Sequence, residues 1–533
     1  MPANEAGPIV LAEQNDRSCS ACARVAAEAF LPVAVRSHDG RFFAIRSTWK
    51  LAGLMSDDAT VTTRLLLVVA DGVRPDVLTE ELDRGNLPAM ARLREKGGLH
   101  TISTSFPSVT GPAYAPFVMG RHPASVGMPG LRWFDRARSL PWSYAQARSY
   151  SGIDIWHVDG DLDPRSPTLY DLVQPSLAGL MMIARGATHG RVGRGIGWSL
   201  RAGWAHFRGD VHAWRRVEQA AVREFFCRFT RTRPTLSMLG ILSPDKLSHA
   251  FGSDSAVVRT AIGDVDAAIA RAQAIAAAGG WADGLRIWVV GDHGHADVSE
   301  HDDLHSWLSG RGHQVLAHPK LGTRGPDIAL MVGGNAMGHV YLEPARRSRA
   351  WWPALTTRWQ STLEAMLERP STGLLAVAMR ADTVRVFHQH DGVADIVRSH
   401  KGHDARWCYQ PIDGDPLHLG GRLSDLDAND AWRAGGASPY ADALVQLSTL
   451  VPSPRAGDIV VSAARGWDLR ARYEPTPHVS THGALLREQM LVPLLLDGPV
   501  TRVPQRTTDV APSALDLLGV TSDIPFDGRS FLR

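Results

Sequence analysis

Cysteine is almost missing from this chain. Its four residues, Cys19, Cys22, Cys227 and Cys408, are too few and too scattered for a disulfide-stapled secreted domain. Cys19 and Cys22 have CxxC spacing, but no second pair follows at zinc-finger distance. Lysine is also scarce: only Lys50, Lys96, Lys246, Lys320 and Lys401 among 57 basic residues. The arginine that replaces it is spread along the whole chain, so it marks no phosphate site by itself. Charge of one sign is lacking too. A formal net charge of +2 predicts no nucleic-acid polymer and no anionic membrane as partner. No apolar run reaches the ~18 residues of a membrane-spanning helix. Met1–Asp16 is polar and acidic, without the basic start of a signal peptide. The predicted location is cytoplasmic.

What is present is a length of 533 residues with 44% hydrophobic content, enough for a large core and more than one structural unit. Residues 1–60 carry no strand–helix alternation and read as a dispensable N-terminal extension. Met55 is the expected true first residue, with 1–54 added by a mis-assigned start. From there apolar runs of strand length recur at 65–70, 236–242 and 286–291, and each leads to an aspartate: Asp71, Asp245 and Asp292. Helical stretches lie between them. Asn86 is placed to cap a helix over 87–96, and an alanine-rich helix spans about 255–278, closed by Gly279-Gly280. Alternation of this kind predicts an α/β fold: a three-layer αβα sandwich around a mostly parallel sheet. Residues 61–325 and 456–533 form its core. Short strand-like runs with glycine turns make 326–455 a smaller α+β insertion shaping the substrate mouth. The sheet resumes at Asp458–Ser462 and Leu491–Leu496, before a last helix at Asp509–Leu518.

The polar residues at the strand ends carry the chemistry. Asp292-His293 delivers a carboxylate and an imidazole together, Asp245 and His249 share one face of a helix, Asp71 ends the first strand, and His482 precedes a late one. In a parallel sheet these ends share one edge, where open α/β folds place their ligands. Three carboxylates and three imidazoles suffice for two zinc-like ions with open positions. Two ions about 3.5–4 Å apart suit phosphoryl transfer. A hydroxyl nucleophile is offered by Ser108 or Thr110, where a loop enters a helix near Thr110–Pro112.

Taken in order, Asp71-Gly72, Pro107-Ser-Val-Thr110-Gly-Pro, Asp245-x-x-x-His249, Gly291-Asp292-His293-Gly294 and Thr481-His482-Gly483 resemble the alkaline phosphatase superfamily. The branch is that of the type I phosphodiesterases and nucleotide pyrophosphatases, and the resemblance spans roughly residues 64–533. It implies two divalent ions, Zn2+ by preference, with Thr110 as nucleophile. Asp71, Thr110, Asp292 and His293 would surround one ion, and Asp245, His249 and His482 the other. The implied substrate is a small-molecule phosphate ester, hydrolysed through a phospho-threonine. A phosphomonoesterase or phosphonate hydrolase with the same site is the alternative, and a metal-binding relative without catalysis a more remote one. The chain departs from the family where Gly111-Pro112-Ala113 follows the nucleophile in place of Phe-Pro-Asn. The family's phosphate-binding asparagine falls near Leu131 or Arg132, so Arg132 is the substitute candidate. The Cys-x-Pro-x-Arg motif of sulfatases is absent. His295, Asp297, His301, Asp302, Asp303 and His305 read as lying outside the ligand set, and His400–Asp404 as a solvated loop.

Overall fold

The computed structural model describes residues 62–137, 146–319, 322–470 and 477–533. The expected extension over 1–60 and the expected start at Met55 lie outside the described residues.

Seven strands form the first sheet, in the order Leu99–Ser103, Leu491–Leu495, Leu285–Val290, Arg64–Ala70, Leu236–Ile241, Ser176–Gly179 and Arg191–Val192. The five from Leu285–Val290 onward are parallel. Leu491–Leu495 runs antiparallel to both its neighbours. The strand Arg64–Ala70 shows why the apolar runs are unbroken. Leu65, Leu67 and Val69 pack on one face with the helices Tyr114–Met119 and Val510–Leu517. Leu66, Val68 and Ala70 pack on the other with Pro75–Asp83, Val211–Thr232 and Ala256–Ala278. A strand covered on both faces has no solvent side to carry polar residues.

Local chemistry sets most helix ends. Ser255 accepts a hydrogen bond from the N–H of Val258 and opens the long alanine-rich helix. Asn86 does not cap. Its amide donates to Glu81 at 2.7 Å, and the next helix starts at Pro88, whose ring fixes the first turn. The helix expected to open near Thr110 begins at Tyr114 instead.

A second sheet has nine strands, from Val315–Ala317 to Leu423–Leu426, and is antiparallel apart from its first pair. Ile459–Ala463 belongs here, between Met337–Leu342 and Thr372–Arg380, rather than in the first sheet. A fully buried strand reads as the same apolar run in either sheet, so periodicity does not name its neighbours. No helix among the described residues is long and apolar enough to cross a membrane.

Candidate metal centre

The strands Arg64–Ala70, Leu236–Ile241 and Leu285–Val290 are parallel neighbours, so their carboxyl ends share one edge. Asp71 and Asp292-His293 follow two of them directly. Asp245 and His249 sit one turn apart in the helix Ser243–Phe251, which follows the third. His482 arrives by another route. Ser480 and Thr481 pair antiparallel with Asp297 and Ala296, which brings the late segment back beside the Asp292 loop. The 106–110 loop is pinned from two sides. The N–H of Phe106 donates to Gln446 Oε1 at 2.9 Å. Ser108 Oγ donates to the carbonyl of Ala484 at 2.8 Å and accepts from the N–H of Gly483 at 3.2 Å. Ser108 is thereby spent on the backbone, and Thr110 is the half-buried hydroxyl turned to the acids.

Two groups of donors converge. In the first, Thr110 Oγ1 lies 3.3 Å from Asp71 Oδ1 and 3.0 Å from His293 Nε2. His293 Nε2 is 3.4 Å from Asp71 Oδ1 and 3.4 Å from Asp292 Oδ2. In the second, Asp245 Oδ1 is the hub. His295 Nε2 stands 3.0 Å from it, His249 Nε2 3.3 Å and His482 Nε2 3.4 Å. Donors held about 2.0–2.1 Å from one tetrahedral ion stand about 3.4 Å from each other. The first group has that spacing about His293, and in the second each imidazole has it to Asp245, but the donors that all lie within 4.8 Å of one another there are Asp245, His293, His295 and His482, without His249.

The protons tell the same story. His293 Nδ1 faces the carbonyl of Gly294, His249 Nδ1 that of Ser480, and His482 Nδ1 that of Ser108. A carbonyl only accepts, so each Nδ1 carries the hydrogen and each Nε2 presents a lone pair. Asp292 Oδ1 takes the N–H groups of Gly72 and His293, while its Oδ2 is buried without a hydrogen-bond partner. Lone pairs and carboxylate oxygens facing one another in a dry site repel unless a cation lies between them. Burial, then the charges of Asp292 and Asp245, push Asp71 well above the ordinary carboxylate range. The residues therefore fit divalent metal binding.

His295, expected either behind the ligands or at the surface, lies 3.0 Å from Asp245 Oδ1. Fully buried, it joins Asp245, His293 and His482 in one ligand-competent cluster. Burial lowers its pKa to about 3, so it is neutral. Its Nδ1 is 3.1 Å from the hydroxyl of Ser480, which donates onward to the carbonyl of Ala296. Gly72 makes room for it: at φ +71°, a Cβ there would stand 2.9 Å from His295 Nε2 and 3.0 Å from Asp245. The second histidine of Asp292-His293-Gly-His295 was the available signal. His295→Ala is expected to weaken retention of one ion per chain by about 10–100-fold, the range for a group that orients or supplements the ligands. Metal content after graded chelation checks it.

Arg132 is bonded to its own hairpin and to a neighbouring strand. Its guanidinium donates to the carbonyl of Val332 at 2.9 Å and to Ser149 and Ser151 at 3.2 and 2.9 Å. These bonds brace the hairpin Arg132–Phe134/Ala147–Ser149, and none leads to Thr110. Asp302 is engaged by Arg369 at 2.9 Å, and His301, Asp303 and His305 join neither donor group among the described residues. His478, unremarked in the sequence, stacks on His249 with ring centres 4.1 Å apart.

Glu218 supports the helix that carries Asp245 and His249. Buried, it accepts from the N–H of Ser243 at 3.1 Å, and also from the Ser243 hydroxyl and the N–H of Leu242. Burial raises its pKa to about 7. A raised folded-state pKa contributes stability that is complete below the unfolded value near 4.5 and is lost as pH rises through 7. The full loss is about 3 kcal/mol. Glu218→Gln is expected to remove most of that difference in denaturation curves taken at pH 5 and pH 8.

A mostly parallel sheet covered on both faces, with a threonine and two buried Asp/His groups at its carboxyl edge, is the arrangement of the alkaline phosphatase superfamily. Residues 65–485 match the family model "Type I phosphodiesterase / nucleotide pyrophosphatase". The chain belongs to that family. No curated protein sequence matches it. Among solved structures it is similar to murine ectonucleotide pyrophosphatase/phosphodiesterase 5, an inactive variant in complex with AMP. Identity is 15%, coverage 87% of this chain and 97% of that one, and the TM-score 0.53. The human form gives 15%, 87%, 97% and 0.54. Phosphonoacetate hydrolase from Sinorhizobium meliloti 1021, in complex with phosphonoformate, gives 14%, 86%, 96% and 0.49.

Proposed function

We propose that the protein is a two-metal hydrolase of small phosphate esters, acting on phosphodiester or pyrophosphate links with Thr110 as nucleophile. The observation that carries this reading is the position of Thr110 Oγ1, 3.3 Å from Asp71 Oδ1 and 3.0 Å from His293 Nε2. Asp71, Thr110, Asp292 and His293 would hold one ion, and Asp245, His249 and His482 the other, with His295 against Asp245. Zn2+ suits this nitrogen and oxygen donor set. Bound there, such ions supply positive charge for the phosphoryl oxygens and lower the pKa of a hydroxyl.

Thr110 gives up its proton and forms a bond to phosphorus as the bond to the leaving alkoxide breaks. The alkoxide departs as the alcohol. Water then cleaves the threonyl phosphate and restores the hydroxyl. Tyr114 donates to Asp71 Oδ2 at 3.4 Å, which keeps Oδ1 turned to Thr110. A cleft lined by His206, Trp214, Lys246, His249 and His478 opens beside the Asp245 group. Lys246 lies over the Trp214 ring at 5.6 Å, and this cleft would take one end of the substrate.

The test is a screen of the zinc-loaded protein across aryl phosphodiesters, nucleoside pyrophosphates, monoesters and phosphonates. Diesters and pyrophosphates are expected to give the highest kcat/KM. Preference for monoesters or phosphonates would overturn the substrate class, and no turnover with both ions bound would leave a non-catalytic relative. The scarcity of cysteine, with Cys227 and Cys408 both free thiols, is the ground for placing it in the cytoplasm, which cell fractionation checks.

A further inference from the structure

Among the described residues, sixteen buried side-chain polar atoms other than Asp292 Oδ2 have no hydrogen-bond partner, and four of them gather on residues lining one cavity: His122 Nδ1, Arg398 Nε, Gln505 Oε1 and Thr508 Oγ1. His122, Gln505 and Thr508 are each more than nine-tenths buried. Such atoms are normally satisfied, so four at one place call for a ligand.

Charge narrows its nature. Four arginines and two aspartates line the cavity. Arg506 is held by both oxygens of Asp442 at 2.8 and 2.6 Å, and Arg502 pairs with Asp509 at 3.2 Å. Arg398 and Arg529 are left against one carboxylate, Asp527, which already accepts from the N–H of His122 at 2.8 Å. Among the described residues the Arg398 side chain has no hydrogen bond or ion pair; its only contact of note is the Trp407 ring at 5.7 Å. Burial pulls its pKa below the usual arginine value, against the opposing pull of the Asp527 charge. Thr508 offers a hydroxyl, His122 an N–H in one tautomer, and the Gln505 amide turns to offer either end. Water would satisfy these dipoles and leave the guanidinium unpaired.

We infer that this cavity is a binding site for a free tetrahedral oxyanion, phosphate or sulfate, held by Arg398 and Thr508 with His122 and Gln505. Its volume of about 40 Å3 fits a small ion: one water needs about 10–15 Å3, so a four-oxygen ion fills the space. The mouth lies at His403 and Arg529, both exposed. None of these residues belongs to either donor group of the metal centre.

Sulfate and inorganic phosphate are titrated into the metal-loaded protein against chloride at equal ionic strength, with thermal melting and calorimetry as readouts. Wild type is expected to bind one oxyanion whose dissociation constant rises at least tenfold in Arg398→Gln and in Thr508→Val, at unchanged metal content. Arg398→Gln should not lower the melting temperature in anion-free buffer, because it removes an unpaired charge. Thr508→Val, similar in shape, tests the site independently of that charge. Crystals grown with selenate are expected to show its anomalous signal within hydrogen-bond distance of Arg398 Nε. Stoichiometry and affinity left unchanged by both substitutions would place all binding at the metal centre and overturn the inference, as would water alone in the cavity of selenate crystals.

Discussion

Thr110→Ala is expected to lower kcat by roughly 10^4-fold or more, the scale seen when a nucleophile is removed, while the protein keeps two bound ions. The first half follows from position. Thr110 Oγ1 is the hydroxyl in contact with Asp71 and His293, whereas Ser108 Oγ is tied to Ala484 and Gly483. The second half follows from redundancy. Asp71, Asp292 and His293 form a complete three-residue ligand group without the threonine. The pair of readouts is steady-state turnover and metal content, joined by trapping of labelled phosphoryl enzyme in wild type. Ser108→Ala serves as the contrast. It removes a buried donor and acceptor and should cost about 1–3 kcal/mol of stability, with a far smaller loss of turnover. Retained phosphoryl transfer in Thr110→Ala would move the nucleophile elsewhere.

Asp245→Asn is expected to lose one ion per chain and to lower kcat/KM by about 10^3-fold, since loss of even an outer partner of a metal ligand costs about 10–100-fold. One oxygen of Asp245 meets His249, His295 and His482 within 3.4 Å and approaches His293 at 4.0 Å. Among the described residues it is the one carboxylate of that group. Asparagine keeps the volume and an acceptor, so a folded protein with one ion is the expected product. Metal analysis with a thermal melt checks both. Two ions retained at wild-type affinity would show that the second group is held without its hub.

Other parts of the site were legible to different degrees. Asp71 and Asp292 could be placed because each ends an apolar run whose length and continuity mark a buried parallel strand, and such strands end at one edge. Asp245 and His249 were legible because a spacing of four is one helical turn. Arg132 was not. Its carbonyl partner, Val332, is 200 residues away, and no local pattern announces a bond of that range. Ile459–Ala463 was assigned to the wrong sheet for a related reason: burial on both faces leaves the same residues wherever the strand is inserted.

What the sequence determined by itself was the set of candidate ligand types, their order and the strand ends that present them, because these depend on backbone periods of two and 3.6 residues. Only the tertiary structure decided which donors meet. His295 reaches an aspartate 50 positions earlier, and His482 joins it through a pairing of Ser480-Thr481 with Ala296-Asp297. The oxyanion cavity likewise draws His122, Arg398 and Thr508 from segments with no shared local pattern. Convergence of this kind is set by packing and by the cost of leaving charge and lone pairs unpaired in a dry interior, and neither is written in any single stretch of chain.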